Sequence, residues 1–155
     1  MILSKNFQLN EFTKSVSAIR NDIDNSPSAE HIRNIQLLVK YVLQPLREGL
    51  NKPIRITSGY RSEALNKAIK GSKRSQHCKG QAADLQFKVD GVMNNKAIWD
   101  KVIELGLPFD QMINEFNYSW IHISYNHEYN RKSLLEAYKE SGKTKYKYHT
   151  IEKGL

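Results

Sequence analysis

A chain of 155 residues, 39% hydrophobic and 26% charged, is long enough for one domain with one real core and too apolar to stay disordered. A net charge of +8 favours an anionic partner such as nucleic acid, anionic lipid or a bacterial wall polymer, although a solvated basic surface gives the same count. The single cysteine, Cys78, excludes an intramolecular disulfide and a cysteine-based structural zinc site, so any metal must be held by His, Asp and Glu.

No apolar run approaches the roughly 18 residues that a membrane span requires. The opening MILSKNFQLNEF has neither an apolar stretch of signal-peptide length nor a small-residue cleavage site. Synthesis in a cytoplasm, without a signal of its own and without membrane insertion, is the expectation. Residues 1–25 read as a capping segment, with Phe7, Leu9 and Phe12 turned to the core and a helix over Asn10 to Ile19. Asn25-Ser26-Pro27-Ser28 breaks the chain, and Ser28 is a good N-cap. Ile32, Ile35, Leu38, Val39, Val42, Leu43 and Leu46 then recur at helical spacing, which predicts a helix over 28–49 that Pro45 kinks or shortens.

Ile54 to Thr57 alternates as a short strand, and a helix over Glu63 to Ile69 follows, with Gly71 as its C-cap. Residues 72–80 are polar loop. Ala82 to Phe87 reads as a strand, Asp90-Gly91 as a turn and Asn95 to Leu105 as a second amphipathic helix. Gln111 to Phe116 and Trp120 to Ser124 make a hairpin across a tight connection at 117–119. One further strand or helix fits Lys132 to Tyr138. The tail 141–155, with the lysine cluster Lys143, Lys145 and Lys147, reads as a frayed, solvated terminus that can touch anionic wall polymers. Without repeats or low-complexity segments, this order suggests a single α+β domain with a small, mainly antiparallel sheet packed by helices.

Three side chains carry the chemistry. SQHCKGQAADL places His77 in a loop and Asp84 on the strand after it, with Gly80, Ala82 and Ala83 allowing a tight turn and keeping bulk off a metal. In WIHIS, Trp120, His122 and Ser124 share one face of a strand while Ile121 and Ile123 take the other. Catalytic zinc takes three such protein ligands and leaves a position open. Each histidine alone is more often a structural or surface residue than a ligand, and the surrounding residues are what join them.

SQHCKGQAAD fits Ser-x-His-x-x-Gly-x-Ala-x-Asp, WIHIS fits Trp-x-His-x-Ser downstream, and SGYRS lies upstream in the right order. Together, over about residues 5–140, these resemble the zinc D-alanyl-D-alanine carboxypeptidase family of peptidoglycan peptidases, in particular its small phage-type and endolysin-type members. The fold implied is the one shared with the hedgehog signalling domain. The resemblance implies one Zn2+ per chain held by His77, Asp84 and His122. It implies that Arg61 stabilises the oxyanion or binds a substrate carboxylate, that Ser75 and Gln76 shape the loop before the first ligand, and that Trp120 borders the substrate. Cys78 receives no role. His31, His127 and His149 are not read as ligands, and Tyr125 and Tyr129 belong to a surface loop that can border the cleft.

The general base departs from the family pattern, because Ser119 occupies the common acidic position three residues before the last histidine. Glu115, in FDQMINEF, is the alternative, since across a hairpin it can lie beside His122; Asp110 is the other. The function expected is zinc-dependent hydrolysis of peptide bonds in peptidoglycan stem peptides, by a monomeric phage or prophage enzyme acting on the wall after release or on a virion. A non-catalytic zinc module that binds wall peptides or a protein partner is the rival. No RNP-like or helix-turn-helix signature supports a specific nucleic-acid partner. The bond cut is left open, and loops 70–76 and 125–131 are expected to decide it.

Overall fold

The computed structural model describes residues 1–149. A small ribbon of β1 (Ile2–Ser4) and β2 (Phe7–Gln8) is followed by α1 (Asn10–Thr13) and α2 (Val16–Arg20). The single helix suggested for 10–19 is thus two. Lys14 is extended, and the Ser15 hydroxyl accepts from the Ala18 N–H to start the second. Ser28 caps α3 (Ala29–Leu38) reciprocally with His31, whose Nδ1 accepts from the Ser28 N–H.

Pro45 does not end the long helix. A π-helical turn, Val39–Leu43, leads into α4 (Gln44–Leu50), and the Gln44 N–H reaches back five residues to the Val39 carbonyl. The wider turn takes up a residue that has no N–H of its own to give. After β3 (Arg55–Ser58) and α5 (Glu63–Ala68), the left-handed position belongs to Lys70, not to Gly71. Gly71 stands one residue further on, where its N–H donates to the Asn66 carbonyl at 2.8 Å. A Cβ there would lie 2.0 Å from Asn66 Oδ1, which explains the glycine.

A 3₁₀ turn, Gln76–Lys79, leads into β4 (Ala82–Gln86), a ribbon of β5 (Lys88–Val89) and β6 (Val92–Met93), and α6 (Lys96–Leu105). The strands β7 (Gln111–Glu115), β8 (Trp120–Ser124), β9 (Ser133–Glu140) and β10 (Lys143–Tyr148) complete the chain as described. Six strands form one sheet in the order β10-β9-β7-β8-β4-β3, antiparallel except for the parallel pair β7 and β9. The architecture is the α+β one expected. Alternation along the strands sends Leu85, Met112, Ile121 and Ile123 to one face, where they meet Ile35, Leu38, Val42, Leu46, Ile98 and Val102 of the helices. The opposite face carries Asp84, Glu115 and His122.

The expectation of a frayed tail is corrected. Lys143 to Tyr148 pairs residue by residue with β9 across a two-residue turn, Ser141-Gly142, in which both residues have positive φ. That is the twist-matched hairpin turn for which Ser-Gly was the readable signal. The remainder of the tail, 150–155, lies outside the described residues. Among residues 1–149 no helix is long and apolar enough to cross a membrane.

Candidate metal centre

His77, Asp84 and His122 converge, with one ligand atom from each within 4.8 Å of the others. β4 and β8 place Asp84 and His122 directly opposite each other, and His77 comes in from the 3₁₀ turn. His77 Nε2 lies 3.3 Å and His122 Nδ1 3.1 Å from Asp84 Oδ1. The edge of a tetrahedron with zinc–nitrogen and zinc–oxygen bonds of about 2.0–2.1 Å is about 3.3 Å, so the spacing fits zinc. His77 Nδ1 donates to the Gly59 carbonyl at 2.7 Å, which leaves Nε2 as the free lone pair facing the site. Burial lowers the His77 pKa against the pull of Asp84, favouring the neutral imidazole that a metal needs. Burial alone would raise the Asp84 pKa, but the charge and hydrogen bonds of His77 and His122 outweigh it. The carboxylate is held well below its usual range.

The backbone around His77 is set by small contacts. The Ser75 hydroxyl accepts from the His77 N–H at 3.2 Å, and the His77 carbonyl accepts from the Arg61 N–H at 3.1 Å. Gly80 turns the chain at φ +74°, and a Cβ there would lie 2.5 Å from the His31 carbonyl. The glycine therefore admits close packing on α3; keeping bulk away from the metal is not its reason.

Arg61 Nη2 approaches Asp84 Oδ2 at 3.8 Å. Its Nε donates to Ser58 Oγ at 3.3 Å and its Nη1 to Asn66 Oδ1 at 3.2 Å. Asn66, which sequence reasoning missed, is itself anchored by donating to the Ser72 carbonyl at 2.9 Å. Glu115 is 8% exposed at the end of β7. Burial pushes its carboxyl up to about 7, with His122 working against the shift and Asp84 adding to it. The strand register sets where Glu115 lies relative to His122. Ile113, not Glu115, stands opposite His122, and Glu115 stands opposite Trp120, one step along the same face. That diagonal still brings Glu115 to the cleft.

The cleft, of about 660 Å³, holds all three ligand residues together with Arg61, Ser75, Trp120 and Glu115. The sequence model of the Peptidase M15 family matches residues 5–124. The chain belongs to Peptidase M15. Among curated proteins none matches it. This is the zinc D-Ala-D-Ala carboxypeptidase-like family, so M15 membership supports a metallopeptidase and accounts for a His-Asp-His group that can hold a metal.

The M15 cleft of this chain differs from the sequence expectation in its walls. Lys70, Arg74 and Ser75 line it as expected of loop 70–76. From the 125–131 loop only Arg131 does so, and Tyr125 instead stacks on Tyr41 at 5.4 Å. His127 and Tyr129 are exposed at the surface. Thr144 and Tyr146 of β10 also line the cleft. Asp110 points to Arg131, with Nε at 2.9 Å, and lies outside the cleft lining, which leaves Glu115 as the carboxylate beside the ligands. Cys78 does not line the cleft, and burial raises its thiol pKa. His31 packs against Tyr60 with the rings tilted, His149 bonds Glu136 at 2.6 Å, and neither lines the cleft.

Proposed function

We propose that this M15 protein is a zinc peptidase that hydrolyses peptide bonds in the stem peptides or cross-bridges of bacterial peptidoglycan, as a carboxypeptidase or an endopeptidase. The observation that carries the reading is the convergence of His77, Asp84 and His122, with a nitrogen of each imidazole within 3.3 Å of one Asp84 oxygen, beside a buried carboxyl raised toward neutrality. Zinc held by these three residues supplies Lewis acidity for hydrolysis. Glu115 takes a proton from the water that attacks the scissile carbonyl and returns it to the leaving amine as the C–N bond breaks. Arg61, braced by Ser58 and Asn66, presents a fixed positive charge to the scissile carbonyl or to a substrate carboxylate. Trp120 offers an aromatic wall on the far side of Glu115.

The charge of the cleft supports a peptide rich in carboxylates. Arg61, Lys70, Arg74 and Arg131 line it against two acidic groups, Asp84 and Glu115. A net charge of +8 adds attraction to an anionic wall. We place its action at the wall, after release by a phage or prophage or on a virion. The test is metal content together with digestion of purified peptidoglycan by wild type and His122→Ala, with mass spectrometry of the products. About one zinc per chain, with stem-peptide fragments that vanish in the variant, is the expected result. Zinc without cleavage favours a binding module, and neither zinc nor cleavage overturns the reading.

A further inference from the structure

The C-terminal hairpin adds a residue to the cleft that lies beyond the M15 match, which ends at residue 124. Strand pairing sets out one row across the sheet. Trp120 stands opposite Glu115, Glu115 opposite Ala137, and Ala137 opposite Tyr146. All four side chains point to the same face, because partners in register share a face. Ala137 is buried and contributes only a methyl group, so little bulk separates Tyr146 from the Glu115 carboxyl. Tyr146 lines the same cleft as the ligand residues.

Two hydroxyls of β10 reach this wall, and they differ. Thr144 Oγ1 accepts from Lys139 Nζ at 2.8 Å. The Tyr146 hydroxyl has no hydrogen-bond partner among the described residues, and the residue, which lines the cleft, is 56% exposed. Its surroundings suit a donor. Burial raises its pKa, and the negative charges of Glu115 and Asp84 raise it further, so the phenol keeps its proton. The strand beneath it is fixed by six paired residues of β9.

We propose that Tyr146 binds substrate, its phenol O–H donating to a carbonyl oxygen of the peptide that lies along the Glu115 row. This rests on the peptidase reading above. The hairpin then acts as a specificity wall, with Trp120 and Tyr146 on opposite sides of the carboxylate.

The test is Tyr146→Phe, which removes the O–H and keeps the ring. Muropeptides released from purified peptidoglycan by a muramidase serve as the probe. Their affinity is measured by calorimetry on Glu115→Gln and on Glu115→Gln/Tyr146→Phe, and their cleavage on wild type and Tyr146→Phe. We expect affinity to fall about 3- to 10-fold and kcat/KM to fall at least as far, with zinc content and Tm unchanged. Equal affinity and equal kcat/KM overturn the proposal while leaving the peptidase reading intact. A lowered Tm in Tyr146→Phe marks a packing role and also overturns it. Muropeptides neither bound nor cut by the wild type overturn the peptidase reading, and the role of Tyr146 with it.

Discussion

Asp110 and Arg131 tie the turn that carries His77 to the start of the last hairpin. The Asp110 carboxylate accepts from the Arg131 backbone N–H and Nε at 2.9 Å each and from Nη2 at 3.0 Å. It also accepts from Gln76 Nε2 at 3.0 Å, next to His77. Burial opposes ionisation here, but the Arg131 and Gln76 bonds outweigh it and lower the Asp110 pKa. Asp110→Asn is expected to cost about 1–3 kcal/mol, read by urea unfolding at pH 7. Because the folded pKa lies below the unfolded one, this contribution is present above the ordinary carboxylate pKa. The gap between variant and wild type should close only below about pH 4.

His77→Ala and His122→Ala should each weaken zinc affinity by about 100-fold or more, measured by competition with a chelating dye. Zinc at about 100 times its dissociation constant should stabilise the wild type by about 2.7 kcal/mol, and chelation should remove that gain. Affinity should fall as pH drops below the ordinary imidazole range, where protons compete for the buried His77 nitrogen.

Glu115→Gln is expected to retain zinc and lose about 100- to 10,000-fold in kcat on muropeptides. The metal-free protein gives an independent readout. The Glu115 carboxyl is raised from 4.5 to about 7 by folding, so its contribution is full below 4.5 and is lost as pH rises through about 7. The wild type should therefore lose about 1–2 kcal/mol relative to Glu115→Gln between those limits, after allowance for solvent screening. Thermal melts of both proteins across pH 4 to 8 check the sign.

Gly80→Ala should cost about 2–3 kcal/mol and loosen zinc binding, because it forces a side chain into the left-handed region and against α3. The Cβ would meet the His31 carbonyl at 2.5 Å, and backbone cannot yield there as a flexible side chain would. Gly91→Ala is the control. It carries a similar φ of +78° with nothing within 4 Å, so it should show the conformational cost without loss of zinc.

The grouping of His77, Asp84 and His122 came from the resemblance of their surroundings to a family pattern, while the element that carries each was legible because it is local. SQHCKG sets a capped turn, AADL and WIHIS alternate as strands, and alternation alone dictates that His122 leaves the face of Ile121 and Ile123. Tertiary pairing decided the rest. A strand's partner and register depend on distant residues, so Glu115 stands opposite Trp120 and diagonal to His122. The parallel docking of β9 on β7, pinned by Arg131 at Asp110, brings Tyr146 into the Glu115 row across thirty-one residues of chain, from 115 to 146. No local propensity encodes that approach. It follows from which strand edge was free for the hairpin to join.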